Sequence, residues 1–464
     1  MTQRFFVVLF IAALTTTHTV AGQSSQAGPK PQKKFLSAPL VIEDQGSFFI
    51  GGVPKVTDYA TLPAVPGTPG LAPNALAGPP VATPAPHQIT IGQMYVQFQI
   101  PAKQAGTGWP VIMVHGSSHT AACLESTPDG REGWYPYFVR KGSSTYIVDQ
   151  AGRGRSGFDE SAVHEGEVRI TNGDVTTGML LMPRIGRITD DGAWTNWFGH
   201  LVPADSTILT GKLIRHGDPG DPNLSLTADP HGKPLFPTDT QDPRFVSREG
   251  AIGATPGGPG EYFALEYYKQ LVPNAEVTLP GSTCATCDPQ VLSPANTWTP
   301  QNLAMLVERL GGAIVATHSQ SGIMGHHMTR ILKERGHLDL LKGLITIEGS
   351  CSLSNSGLTA ADFDKIPYLA LKGDYTNTST VCQETVDAIT ARRASKLGTA
   401  KADYLKLDDM GILGVTHMMM LDAKNLQIAD VMLNWANRNV PHANKAGTTT
   451  RQAVPESNNA RGSR

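Results

Sequence analysis

The pattern of apolar and polar positions predicts strand–helix alternation in two blocks of the chain, residues 93–156 and 301–440. Both blocks hold short apolar runs typical of buried strands and amphipathic runs typical of helices. The predicted strands are 94–100, 110–116, 144–150, 313–318, 341–349, 366–374 and 402–407. The predicted helices are 130–142, 302–311, 321–336 and 424–439. Near-continuous apolar strands that alternate with helices indicate an α/β fold, with a mainly parallel sheet covered by helices on both faces.

The two blocks are separated by residues 157–300, which lose this alternation. They are rich in Asp, Pro and Gly and hold scattered aromatic residues. We expect this insertion, partly loop and partly helix, to cap a site on the core. Residues 441–464 are polar and predict a disordered tail.

Residues 23–92, ahead of the core, predict little regular structure. Residues 39–52 favour a β-hairpin that turns at residues 44–46. Residues 63–86 are rich in proline and glycine and predict no regular element.

The N-terminus has the features of a secretion signal peptide. Arg4 supplies a positive charge, residues 5–14 form an apolar run, and small residues near Ala21 or Gly22 offer a cleavage site. The apolar run is well short of the roughly 20 residues that a spanning helix needs. We expect residues 1–22 to be cleaved, so that the mature protein is secreted or periplasmic.

The overall charge argues against two classes of partner. The chain has 38 basic and 40 acidic residues, a formal net charge of −2. Because no broad positive field results, neither nucleic acid nor an anionic membrane surface is an expected partner. We expect a small-molecule substrate, with no metal and no organic cofactor.

The five cysteines are interpreted in the oxidising compartment that export implies. Cys284 and Cys287 favour a local disulfide, because a zinc site would need two further ligands at suitable spacing. Cys351 and Cys382 flank one predicted strand and could form a second bridge. Cys123 would then remain as a buried thiol.

The segment "ATHSQSG" (316–322) places a serine between a predicted buried strand and a predicted helix. This is the setting of a nucleophile elbow, a tight turn that exposes a serine Oγ at the carboxyl edge of a sheet. The turn requires small neighbours, and Thr317, Ser321 and Gly322 meet that requirement only loosely, since the usual pattern is G-x-S-x-G. The pattern predicts Ser319 as a nucleophile.

A nucleophilic serine needs a histidine base and an acid that orients it. His417 follows the last predicted strand and precedes the last helix, and it fits the chain order serine, acid, histidine. Two carboxylates compete for the acid: Glu348 ends one predicted strand and Asp374 ends the next. The usual position in this kind of fold favours Asp374, but the residues alone leave both open.

An oxyanion hole needs two backbone N–H groups. One is expected from Gln320, directly after the serine, and the other from the loop "HGSSHT" (115–120), with Ser117 as the best candidate. The glycine-rich stretch "GRGRSG" (152–157) is interpreted as an ordinary turn after a strand.

Four motifs together resemble a small group of secreted bacterial α/β-hydrolase esterases. They are the segment from "MVHGSSHT" to "AGRGRSG", "ATHSQSG", "ITIEGSC" and "THMMMLDAKNLQIAD", and the resemblance covers roughly residues 111–157 and 302–438. It implies the α/β-hydrolase fold and a triad whose acid is Glu348 rather than Asp374. It also implies a Cys351–Cys382 disulfide and a homodimer.

One departure from that group concerns the loop after His115 and Gly116. A relative in the group has adjacent cysteines there, whereas this chain has Ser117 and Ser118. A disulfide in the oxyanion loop is therefore absent.

These residues together predict a secreted serine hydrolase that cleaves carboxylic esters through an acyl-enzyme. Two alternatives remain: a lactonase or acyltransferase that uses the same triad, and a catalytically inactive hydrolase fold that acts as a binding protein. The intact set of serine, histidine and acid argues against the last.

Overall fold

A computed structural model describes most of the chain between Leu36 and Ala443. The described residues are 36, 38–61, 81–128, 130–181, 187–202, 212–215, 266–273, 298–373, 380–412 and 415–443. The predicted signal peptide, most of the predicted tail, Asp374, Cys284 and Cys287 lie outside these residues.

Eight strands form one sheet in the order β1-β2-β4-β3-β7-β8-β9-β10. Their bounds are β1 Ile42–Thr61, β2 Val81–Pro101, β3 Val111–Val114, β4 Thr145–Asp149, β7 Ala313–His318, β8 Leu341–Ile347, β9 Tyr368–Lys372 and β10 Ala402–Lys406. β1, β2 and β4 pair antiparallel, and every neighbouring pair from β4 to β10 is parallel. The predicted mainly parallel sheet is confirmed.

The described helices lie on both faces of this sheet. They are α1 Ala122–Glu125, α2 Trp134–Arg140, α3 Ser161–Thr171, α4 Val175–Leu181, α5 Asp190–Trp197, α6 Trp298–Arg309, α7 Ser321–Glu334, α8 Val381–Ala394 and α9 Asn425–Asn439. α8 was not predicted from the sequence. None of the helices among the described residues combines the length and hydropathy needed to cross a bilayer.

The strand alternation divides the apolar core into two layers. Along β3, Val111 and Met113 pack with residues of α2 and α9, whereas Ile112 and Val114 pack with residues of α6, α7 and α8. Because successive strand side chains point to opposite faces, a strand buried on both faces is apolar throughout. This burial explains why the core strands were recognisable in the sequence.

The N-terminal region differs from the prediction. β1 continues through residues 44–46 without a turn, and its hairpin partner is β2. β2 also includes residues 81–86, which were predicted to form no regular element. Over these residues β2 pairs only with β1, so its other side has no partner strand. Proline has no N–H to donate, and a strand can include it where that position faces the unpaired side.

The described parts of the 157–300 insertion contain helices and loops, as expected, and also two strands that were not predicted. α3, α4 and α5 lie in it, and β5 (Gly199–Val202) and β6 (Lys212–Arg215) form a separate antiparallel pair. Residues 266–273 follow as a short helical turn and an extended segment.

Candidate active site

Ser319 lies in a tight turn between β7 and α7. β7 ends at His318 and α7 begins at Ser321, so two residues connect strand and helix. Ser319 has a φ of 54°, in the left-handed region that non-glycine residues rarely adopt. Three of the four described non-glycine residues with positive φ, Ser118, Ser319 and Glu348, lie in loops that converge here. Such clustered backbone strain is typical of functional sites.

The two departures from the G-x-S-x-G pattern fit this turn. A Cβ placed on Gly325 would lie 3.0 Å from Thr317 Cγ2, so the glycine on α7 provides the space that Thr317 occupies. The Ser321 hydroxyl lies 3.0 Å from the Val114 carbonyl oxygen and accepts the His318 N–H at 2.8 Å. Ser321 therefore fastens the turn to β3 by hydrogen bonds that a glycine could not make.

Ser319, His417 and Glu348 are brought into one hydrogen-bonded chain. The Ser319 Oγ lies 2.9 Å from His417 Nε2, and His417 Nδ1 lies 3.0 Å from Glu348 Oε2. Since the carboxylate only accepts, Nδ1 carries the proton and Nε2 is left as the acceptor of the serine O–H. This is the geometry of a nucleophile, a base and an orienting acid.

Glu348 is held by the neighbouring strand end. Its Oε1 accepts the Gly373 N–H at 2.7 Å, and its own N–H donates to the Leu371 carbonyl at 2.9 Å. The carboxyl therefore points from the end of β8 past the end of β9 toward His417. Asp374, the competing acid, lies outside the described residues.

Burial dominates the protonation of this pair. It lowers the pKa of His417 to about 4. Burial also raises the pKa of the Glu348 carboxyl, whereas the Gly373 N–H, Lys372 and the imidazolium that forms when His417 takes the serine proton all favour the carboxylate. A neutral imidazole at neutral pH can take a proton from Ser319. The imidazolium that then forms would lie 3.0 Å from the Glu348 carboxyl oxygen, which stabilises it.

The loop that carries His417 is fixed from several sides. The His417 N–H donates to the Trp197 carbonyl at 3.1 Å, and its carbonyl accepts from His318 Nε2 at 2.8 Å. The buried Asp422 accepts from both the N–H and the hydroxyl of Thr416 at 2.8 Å. His417 is thus oriented by its backbone as well as by Glu348.

The loop after β3 lies directly against the serine. A Cβ on Gly116 would be 2.9 Å from Ser319 Cβ, so only glycine allows this approach. Among the described residues, neither the Ser117 N–H nor the Gln320 N–H donates to another protein group. One N–H belongs to the residue after Ser319, and the other to the residue after Gly116, which lies against Ser319.

Aromatic residues of the 157–300 insertion lie over this loop. The ring centroid of Trp197 is 6.4 Å from that of His417 and 5.1 Å from that of His119. His119 Nδ1 lies 2.7 Å from the Ser117 carbonyl oxygen and must donate to it. The other ring nitrogen, Nε2, is therefore an acceptor, and it accepts the Tyr267 O–H over a distance of 3.1 Å. The Val272 N–H donates to the Ser118 carbonyl at 2.9 Å. The insertion therefore contacts both the base and the loop.

The cysteine predictions have different outcomes. Cys351 and Cys382 form a disulfide bond that joins the loop after Glu348 to α8. Cys123 is a buried free thiol whose pKa burial raises, and Cys284 and Cys287 lie outside the described residues. In the described part of the chain, no group of three or more His, Cys, Asp or Glu side chains could hold a metal ion.

Four residues of the site were not singled out in the sequence: His318, Asp422, His119 and Arg153. Arg153 is buried and donates to the Gly116 carbonyl and to Gln320 Oε1. The partners of His318 and Arg153 and one partner of His119 are distant in sequence, whereas Asp422 contacts the nearby Thr416. Only the glycine-rich stretch around Arg153 gave any local signal.

Comparison with known proteins gives two informative similarities, although no family model matches the sequence. A protein named "Probable secreted lipase phiG", from a fungal species, is 23% identical over 394 residues, which are 74% of this chain and 86% of that protein. A solved structure described as a novel bacterial esterase is 26% identical, with a TM-score of 0.57 over 88% of this chain and 99% of that chain. The sheet order, the turn at Ser319 and these similarities show that this chain has the α/β-hydrolase fold and support a carboxylic ester hydrolase.

Proposed function

We propose that the protein is a secreted serine hydrolase that cleaves carboxylic esters. The observation that carries the proposal is the hydrogen-bonded chain from the Ser319 Oγ through His417 to Glu348. The similarity to a secreted lipase and a bacterial esterase supports the ester as the substrate class. The Trp197 ring, with its centroid 6.4 Å from that of His417, suits an apolar acyl or alcohol group.

In the proposed mechanism, the Ser319 Oγ attacks the ester carbonyl while His417 Nε2 takes the serine proton. The tetrahedral oxyanion is stabilised by the N–H groups of Gln320 and Ser117. His417 then gives its proton to the departing alkoxide, which leaves an acyl-enzyme on Ser319. His417 then takes a proton from water as the water oxygen attacks the acyl carbonyl, and it returns that proton to the Ser319 Oγ when the acyl–serine bond breaks and the acid leaves. Glu348 keeps the imidazole in the required tautomer throughout.

Hydrolysis of p-nitrophenyl butyrate tests this proposal. We expect a burst of p-nitrophenol followed by steady turnover, and Ser319→Ala should lose at least about 10³-fold in kcat. Ser354→Ala, which removes an exposed serine outside the site, is the control and should behave as wild type. Full activity in Ser319→Ala would refute the proposal.

The same experiment distinguishes the alternatives. A lactonase would prefer cyclic esters to p-nitrophenyl butyrate, and an acyltransferase would form a new ester when an alcohol is added. If the protein only binds its ligand, neither the wild type nor the two variants would release p-nitrophenol.

Export and assembly are also proposals. Residues 1–22 would be removed as a signal peptide, and the similarity to a secreted lipase supports this. N-terminal sequencing of protein recovered from the medium or periplasm should begin close to residue 22 or 23. The homodimer stays a prediction, and light scattering of the purified chain would test it.

A further inference from the structure

The Gly116–Ser117 peptide is held at its carbonyl oxygen by two side chains. Arg153 Nη1 donates to the Gly116 carbonyl at 2.9 Å, and His115 Nδ1 lies 2.8 Å from the same oxygen. His115 Nε2 accepts the Gln150 N–H at 3.0 Å. Because burial, with Arg153 beside it, lowers the pKa of His115 to about 3, the ring is neutral and its single proton lies on Nδ1.

These two contacts determine where the Ser117 N–H points. No peptide bond among the described residues is cis, so the N–H of this peptide unit is directed opposite to its carbonyl. The groups that hold the carbonyl therefore direct the N–H away from themselves. Donation to a carbonyl oxygen also polarises the whole peptide and makes its N–H a stronger donor.

Arg153 also reaches the second residue that supplies an N–H. Its Nη2 donates to Gln320 Oε1 at 2.7 Å, so one guanidinium contacts Gly116 and Gln320 together. The guanidinium is planar and the separation between Nη1 and Nη2 is fixed. The pair of N–H groups therefore sets the distance between the Gly116 carbonyl and the Gln320 side chain. Arg153 is only 2% exposed, and little solvent screens its charge from the neighbouring loop.

We propose, on the basis of the proposed function, that Arg153 is a positioning residue that assembles the oxyanion hole. It aligns the Ser117 N–H through the Gly116 carbonyl, holds Gln320 beside it, and places a fixed positive charge behind the developing oxyanion. Its effect is therefore on the transition state rather than on substrate binding.

Arg155, on the same turn, provides a matched control. Its side chain contacts Asp149, with Nε 2.8 Å from Oδ2, and also Gln97 and Glu125, and it is 37% exposed. Its removal should affect the stability of the turn without affecting the oxyanion hole.

The test compares Arg153→Met with Arg155→Met, with rates normalised to active sites titrated by a fluorophosphonate. We expect Arg153→Met to lower kcat for p-nitrophenyl butyrate by about tenfold to hundredfold, with KM within about threefold of wild type. The Ki of a trifluoromethyl ketone, which forms a tetrahedral oxyanion on serine, should rise by the factor lost in kcat/KM. Arg155→Met should lower the Tm but keep kcat per site within about twofold of wild type.

Two further variants keep the inference falsifiable if Arg153→Met does not fold. Arg153→Lys retains the positive charge but not the two N–H groups at fixed separation, and its kcat should lie between those of wild type and Arg153→Met. Gln320→Ala removes one acceptor of Arg153 yet keeps the backbone N–H, and it should lower kcat per titrated site about threefold or more.

Unchanged kcat per titrated site in Arg153→Met, or in Gln320→Ala if the first variant does not fold, would overturn the inference. Failure of the proposed function gives a different result: the wild-type protein would neither react with the fluorophosphonate nor turn over the ester.

Discussion

Glu348 combines two features that suit an orienting acid. It has a strained backbone, with φ 48°, and its carboxyl is fixed between the Gly373 N–H and His417 Nδ1. Strain of this kind costs about 1–3 kcal/mol and persists only where the surroundings impose it. The side chain is 2% exposed, so His417 is oriented in a site from which water is largely excluded.

We predict that Glu348→Gln lowers kcat by about 10³ to 10⁴-fold, because the amide allows the wrong imidazole tautomer and no longer stabilises the imidazolium. Asp374→Asn is the matched comparison and should lose less than about tenfold. Steady-state kinetics with p-nitrophenyl butyrate provides both numbers. A larger loss in Asp374→Asn than in Glu348→Gln would assign the acid to Asp374.

Residues of the site were predictable from sequence only where chain order carried information. Ser319 stands between a strand and a helix, and His417 stands in the loop before the last helix, so their positions alone indicated roles. The choice of Glu348 needed the resemblance to known esterases. Arg153 could not be predicted, since its partners Gly116 and Gln320 lie 37 and 167 positions away and meet it only in the folded chain.

The elements that support the site were predictable to different degrees. β7 has the bounds predicted from its apolar run, because burial on both faces makes such strands apolar at every position. The predicted strand 94–100 lies within β2, but β1 and the first half of β2 were not predicted correctly. Strand segments at the edge of a sheet tolerate the prolines and polar residues that resemble a turn or a loop. α8 has many exposed polar positions and lacks the clear amphipathic pattern of α7.

A disulfide bond joins the loop after β8 to α8, and we predict that it stabilises the fold. Cys351 follows Glu348 by three residues, and the bridge closes a loop of 31 residues. Replacing both cysteines by alanine should lower the free energy of unfolding by about 3–4 kcal/mol, chiefly through the entropy of the unfolded chain. Because Gly373 and His417 still hold Glu348, kcat should fall less than about threefold at 25 °C.

Chemical denaturation and steady-state kinetics of the double variant check this prediction. Cys123→Ala, at the buried free thiol, is the control for loss of a sulfur side chain without loss of a cross-link. An unfolding free energy equal to that of wild type in the double variant would contradict the prediction.

At the scale of the whole molecule, buried histidines should make the fold sensitive to acid. Burial lowers the pKa of each of them well below the ordinary value near 6.5. These residues are His115, His119, His318, His326, His327 and His417. In the unfolded chain they take up protons as the pH falls through 6.5, whereas the folded chain does not until the pH approaches 4 or below. The unfolded state therefore gains protons first, and stability is lost between pH 6.5 and about 4.

We predict that the Tm falls steadily between pH 7 and 4.5 and that His326→Gln reduces this fall. Each such histidine contributes up to about 1.4 kcal/mol per pH unit within the window. His326 lies outside the site, against Tyr368, and His337, which is 53% exposed, is the control. Calorimetry across this range measures the effect, and an unchanged Tm from pH 7 to 4.5 in wild type would contradict it.

The central claim is that Ser319 is the nucleophile of an α/β-hydrolase, and covalent labelling by a fluorophosphonate tests it most directly. Mass spectrometry should find a single adduct on the peptide that contains Ser319, none in Ser319→Ala, and labelling at least about 100-fold slower in His417→Ala. An adduct on another residue, or labelling of Ser319→Ala at the wild-type rate, would contradict the account.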